Sequence, residues 1–269
     1  MHTRRLTRLS CSAAVFAGIL LTSCGTEKAA GGATAATQAP ASEQTEKRLG
    51  APNGIEKLSG AEAMQRSREA MADLKSFQRV YTPARPAEAA PSVVARSDLK
   101  NGCSITYDVG DTGTMDVRVG ERGIYMRGDE KSLTQQQGPE AAERFQGKWI
   151  LDSQPDPMRY VQMLQPCDFQ GFSLENTKDA PGTTYKKGET TEIDGFPVLP
   201  LEVTEDGKGT QTMYLALQGK PYLVRTSGPE SAQDLSHFDE DLTIDLPRED
   251  EVVPLAEVEA FLGGGAPTG

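Results

Sequence analysis

Ile105-Thr106-Tyr107-Asp108-Val109-Gly110-Asp111-Thr112-Gly113-Thr114-Met115-Asp116-Val117-Arg118-Val119 is the stretch whose pattern decides the fold. Apolar and polar residues alternate on both sides of a Gly-Asp-Thr-Gly link. A period of two puts Ile105, Tyr107 and Val109 on one face of a strand, with Thr106 and Asp108 on the other. Met115, Val117 and Val119 are set against Asp116 and Arg118 in the same way. The link is short, so the two strands are antiparallel neighbours.

The same rhythm recurs downstream in Leu199, Leu201 and Val203, in Met213, Leu215 and Leu217, and in Leu242, Ile244 and Leu246. Gly120-Glu121-Arg122-Gly123, Asp206-Gly207-Lys208-Gly209 and Gln218-Gly219-Lys220 supply turn chemistry between the runs. Upstream, Ser59-Gly60-Ala61-Glu62 is a capping box that predicts a helix through about Ser76. Met64, Ala70, Met71 and Leu74 share one stripe of that helix. Mid-chain, Gly138 to Phe145 reads as a short helix. Asp152 to Leu164 reads as another, ending near Pro166. The expectation is one long antiparallel meander whose apolar face is covered only in part by helices. Curvature, the mid-chain helices or a ligand must cover the rest.

The N-terminus carries a different signal. Arg4, Arg5 and Arg8 precede an apolar run from Leu9 to Leu21, and Leu21-Thr22-Ser23-Cys24 closes it. About a dozen residues fall short of the ~20 that span a bilayer as a helix. The pattern reads as a lipoprotein signal, cleaved before Cys24, whose thiol accepts the lipid. An uncleaved anchor is the alternative. Thr7 sits where a twin-arginine signal needs an apolar residue, which favours general secretion. Residues 25 to 54 hold almost no large apolar side chain and read as a flexible tether. Such a tether places the folded part on the order of 30 Å from the membrane. The expected organisation is signal 1–23, tether 24–54, folded domain 55–258 and flexible tail 259–269.

Cys103 and Cys167 remain in the exported part. An oxidising compartment favours a disulfide between them, against two buried free thiols. The formal charge of −11 becomes about −14 without Arg4, Arg5 and Arg8, which argues against nucleic acid and against a basic membrane-binding patch. Chemistry is thin. The mature chain has a single histidine, His237, and no Gly-x-Ser-x-Gly, His-Glu-x-x-His, Cys-x-x-Cys or phosphate-cradling loop. Asp239-Glu240-Asp241 and Glu249-Asp250-Glu251 lack the alternating spacing of a calcium loop and read as solvated faces. No catalytic residue, metal or cofactor is assigned.

The order of segments resembles the LppX/LprAFG lipoproteins, whose fold is similar to that of LolA and LolB. The matching pieces are Leu74-Lys75-Ser76-Phe77, Gly147-Lys148-Trp149-Ile150, Ile193-Asp194-Gly195-Phe196-Pro197, Gly219-Lys220-Pro221-Tyr222 and His237-Phe238-Asp239. The resemblance implies an α+β fold, a curved antiparallel half-barrel with a few helices on its concave face. It also implies an apolar cavity for an acylated lipid or glycolipid. The wall assigned to that cavity is Met115, Val117, Val119, Ile124, Met126, Leu199, Leu201, Val203, Met213, Leu215 and Leu217. Methionine adapts to irregular ligands, although the same residues would suit a filled core. A lipid carrier on the outer face of the plasma membrane is therefore weighed against a protein-interaction or sensor module, with a membrane transporter or envelope protein as further partner. A hydrolase ranks last.

Overall fold

The quoted stretch forms β3 (Gly102–Asp108) and β4 (Thr114–Gly120), in which Ile105 faces Val117 and Tyr107 faces Met115. These strands come from a computed structural model whose described residues are 50–84, 91–167, 179, 181–207 and 209–263. Val109 lies outside β3 and is exposed, because the link opens with the 3-10 turn Gly110–Thr112. Gly113 closes the link at φ 97°, and a Cβ there would meet Asp129 Oδ1 at 2.2 Å, so glycine is required.

The first half of the sheet adds β1 (Ser76–Pro83), β2 (Ser92–Asp98), β5 (Gly123–Gly128) and β6 (Trp149–Asp152). The second half is β7 (Thr184–Lys187), β8 (Thr191–Ile193), β9 (Phe196–Glu205), β10 (Gly209–Ala216), β11 (Leu223–Ser227) and β12 (Ser231–Ser236). A short β13 (Val252–Pro254) ends it. Among the described residues these make one 13-stranded sheet in the order β13-β6-β5-β4-β3-β2-β1-β12-β11-β10-β9-β7, with β8 also on β9. All pairings are antiparallel except β13 with β6. Two meanders thus meet at β1, where Gln78 faces Ser236 and Pro83 faces Ser231. The sheet is open rather than closed, and the fold is the α+β half-barrel expected.

Among the described residues five α-helices accompany it. α1 (Gly60–Ala72) has the predicted capping box: Glu62 N–H donates to Ser59 Oγ at 3.3 Å, and Ser59 N–H donates to the Glu62 carboxylate at 2.9 Å. The helix stops before Ser76 because the next polar groups are engaged elsewhere. Lys75 N–H donates to Asp239, and Ser76 Oγ donates to the Glu240 carbonyl. α2 (Glu130–Gln137) escapes a periodicity reading, since Leu133 is its one large apolar residue; Asp129 caps it by accepting from Ser132 N–H at 2.8 Å. α3 (Pro139–Phe145) follows across Gly138. α4 (Pro157–Leu164) begins later than expected, because Asp152 ends β6 and Asp156 is the cap. Its Tyr160 is buried, but Met158 and Val161 point outward, at 78% and 57% exposure. α5 (Leu255–Gly263) extends the helical chain beyond residue 258.

Two further expectations change. Leu242, Ile244 and Leu246 keep a strand rhythm but form no strand. Both edges of β1 are already taken, so this segment runs along the strand ends instead. Glu240 touches Ser76, Leu246 packs on Gly120, Glu249 pairs with Arg122 at 3.1 Å, and the Asp250 carbonyl accepts from Lys148. The packed chain also starts before residue 55. Pro52 bridges Gln218, and Asn53 Nδ2 donates to the Ala216 carbonyl at 2.8 Å. The signal, Cys24 and residues 264–269 lie outside the described residues.

Candidate functional site

Directly opposed residues of neighbouring strands share a face, so register decides which side chains meet. One row runs Leu201, Met213, Thr226, Gln233, Tyr81, Val93, Tyr107, Met115 across eight strands. The next runs Leu235, Arg79, Ala95, Ile105, Val117, Met126, Ile150. A third contains Phe77, Ser97, Cys103, Val119 and Ile124. Leu199 opposes Leu215, and Leu217 packs beside them just past β10. All eleven residues assigned to the wall therefore stand on the helix-covered side.

The wall residues divide between two apolar clusters on that side, and a third, under α3 and α5, takes in Ile150. α1 covers one with Ala63, Met64 and Met71, joined by Leu74 just past its end, over Phe77, Leu199, Leu201, Val203, Leu215 and Leu235. α4 covers the other with Tyr160, Met163 and Leu164, over Val93, Ile105, Val117 and Ile124. Burial sorts the wall residues. Val117, Leu201 and Leu215 are fully buried, and Ile124, Leu199 and Val203 nearly so, so protein atoms already cover them. Met115, Val119, Met126, Met213 and Leu217 are half-buried and keep free surface.

Between the clusters lies a polar strip, which the alternation of apolar residues gave no reason to expect. Its centre is Arg79, buried on the apolar face with its guanidinium 5.4 Å from the Phe77 ring. Three sheet side chains here hold the end of α4 and the 3-10 turn Gln165–Cys167 that follows. Tyr107 Oη donates to the Met163 carbonyl, Arg79 Nη1 to the Gln165 carbonyl at 3.4 Å, and Ser97 Oγ to the Cys167 carbonyl at 3.4 Å. A helix C-terminus leaves carbonyls unmatched and carries partial negative charge, which a buried arginine answers. Burial pushes the Tyr107 phenol up to about 12. A disulfide fixes the same turn: Cys103 on β3 is bonded to Cys167, with 5.9 Å between their Cα atoms. The signal available in the sequence was Phe77-Gln78-Arg79-Val80-Tyr81, where an arginine takes an inward strand position.

Charged clasps lie at the rim. Arg68 of α1 pairs with Asp179 at 2.7 Å and donates to Tyr185 Oη at 2.9 Å, while Tyr185 donates to Asp179. Burial opposes ionisation of Asp179, but the hydrogen bonds from Tyr185 and Arg68 outweigh it and lower its pKa. Asp239 accepts from Lys75 N–H, Tyr222 and Lys220, and its pKa is lowered in the same way against the cost of burial. His237 is exposed and faces Glu240 at 2.6 Å. Among the described residues no group of three or more His, Cys, Asp or Glu is arranged to hold a metal, and no helix is long and apolar enough to cross a membrane.

The chain is similar to mycobacterial lipoproteins of known structure. The LppX structure from Mycobacterium tuberculosis is 15% identical, with 69% of this chain and 97% of that one covered at a TM-score of 0.46. LprF from Mycobacterium bovis is 15% identical over 74% of this chain and 99% of that one, at 0.43. A LolA superfamily protein from Nitrosomonas europaea is 10% identical over 71% and 96%, at 0.24. These are the types that the order of sequence segments resembles. No family model and no curated protein matches the chain.

Proposed function

We propose that this chain is a non-enzymatic binder or carrier of an acylated lipid or glycolipid, anchored through Cys24 to the outer face of the plasma membrane. The observation that carries the reading is the divided apolar face. A single domain ordinarily builds one contiguous core, whereas this sheet face divides the wall residues between two clusters under separate helical covers. Acyl chains entering between those covers would lie against the half-buried Met115, Met126 and Met213. Each Å² of chain removed from water contributes about 25 cal/mol, so binding needs no covalent step. Release would follow from parting α1 and α4, or from transfer to a transporter or envelope protein.

The full burial of Val117, Leu201 and Leu215 favours a second reading, an interaction module whose core is already filled. Native mass spectrometry of gently purified full-length protein separates the two. A co-purified lipid adduct supports the carrier. A clean unliganded mass that persists after incubation with membrane lipid extract rejects it.

A further inference from the structure

The outer side of α4 is unlike the rest of this acidic surface. Met158 and Val161 are the two most exposed large apolar side chains among the described residues. They stand three residues apart, so they are neighbours on one helix face. Gln162 is exposed beside them, while Tyr160 is buried beneath the helix. From Pro157 to Cys167 the chain holds no aspartate or glutamate, and its single charge is Arg159. Asp156, just before the helix, is engaged as its cap and accepts from Met158 N–H at 2.9 Å. The two acids of the adjoining α5 are matched: Glu259 faces Arg159 at 3.6 Å, and Glu257 faces Arg144 at 3.2 Å. Leu262, also exposed, lies one turn along α5 from Glu259.

We propose that this face of α4 docks on the surface of a phospholipid bilayer, an inference that rests on the anchoring at Cys24 read above. Three observations select a bilayer over a protein partner. The first is charge. Anionic headgroups repel an acidic protein, and the stretch from Pro157 to Cys167 offers them apolar side chains and a cation without an acid. The second is reach. Residues 25–49 link Cys24 to the first described residue, Gly50, and a flexible chain of that length spans roughly 25–30 Å. Such a tether holds the domain at the bilayer at an effective concentration on the order of mM, so a patch of two or three side chains is enough to dock. The third is area. A patch that small falls well short of the roughly 800 Å² per partner of a stable protein interface. In the carrier reading α4 is also the cover that parts from α1, so docking brings the moving element to the place of transfer.

The test uses the full-length lipidated protein in phosphatidylcholine–phosphatidylglycerol vesicles. An environment-sensitive fluorophore is attached at Gln162→Cys, which keeps Met158 and Val161. A second preparation carries it at Val94→Cys, exposed on the opposite face of the sheet from Val93. Labelling without reductant keeps the Cys103–Cys167 bond. Brominated acyl chains quench a fluorophore that enters the bilayer, and quenching should be about threefold stronger at Gln162 than at Val94. In the Gln162→Cys background, Met158→Asp/Val161→Asp should lower the docked-to-free ratio about tenfold, the equivalent of ~1.4 kcal/mol of lost transfer. Met158→Ser/Val161→Ser provides a second variant should the first melt early. Equal quenching at the two positions, or quenching unchanged by the substitutions, overturns the docking face and leaves the anchoring standing. A blue shift at Gln162 that grows with protein concentration in the absence of vesicles also overturns it, and gives the face to a second copy. Failure of the wild type to float with the vesicles overturns anchoring and docking together.

Discussion

Removing the Cys103–Cys167 bond is the perturbation whose size the structure constrains best. The bond closes a loop with a sequence separation of 64 residues. Cross-linking a loop of that length removes entropy from the unfolded chain worth about 4 kcal/mol at 25 °C. Cys103 is itself buried in the α4-covered cluster, so a Cys103→Ala/Cys167→Ala double variant also loses some packing. For a domain of this size each kcal/mol shifts Tm by about 2–4 °C, so the double variant should melt about 8–16 °C below the oxidised protein. Urea titration supplies a second readout. A cross-linked unfolded chain exposes less surface, so m should rise in the double variant as the midpoint falls. A double variant that melts within about 2 °C of the wild type, with the same m, would refute the reasoning. The Arg79, Ser97 and Tyr107 hydrogen bonds would then suffice to hold the turn after α4.

Four other outcomes are expected. Ser59→Ala removes half of the capping box on α1 and should cost about 1 kcal/mol, read as a fall in Tm of about 2–4 °C. Val117→Trp overpacks a fully buried site and should destabilise by about 1–3 kcal/mol. Val119→Trp, at a half-buried position, should instead leave Tm nearly unchanged and lower lipid occupancy; equal destabilisation by both would argue for the filled core. The pKa values of Asp179 and Asp239 are lowered in the folded state. Their contribution is therefore complete above the unfolded value of about 3.9 and is lost as pH falls through the lower folded values. Urea midpoints should drop in that acid window, and Asp239→Asn should flatten the drop. Cys24→Ser should move the protein from the membrane fraction to the medium or leave it as precursor; detergent-dependent membrane association of a correctly cleaved variant would reject lipidation.

What was legible in the sequence is what depends on near neighbours in the chain. Ser59 and Glu62 are three residues apart and cap each other as read. Ile105, Val117, Leu201 and Leu215 alternate and face inward as read. Leu242, Ile244 and Leu246 alternate equally well, but a strand also needs a partner edge, and β12 and β2 occupy both sides of β1. α2 was missed because Asp129 and a glycine make it, not a stripe. The periodicity of Asp152 to Leu164 marked a helix but not which of its apolar residues meets the sheet: Tyr160 is buried, while Met158 and Val161 are exposed. Arg79 and Thr226 were invisible for a related reason. Alternation marks which side a residue faces, while the polarity of what it meets there depends on strands far away in sequence.

The pairing of β1 with β12 sets the order in which this protein can assemble. β1 through β5 follow one another closely and can zip up from local turns. The edge that β1 then exposes has to wait for residues 231–236, which leave the ribosome long afterwards. Contacts so distant along the chain make folding slow, and an unpaired strand edge recruits other copies in the meantime. Arg79 and Tyr81 lie on that waiting strand, so a polar inward residue there interrupts an otherwise adhesive apolar stripe while its partner is still missing.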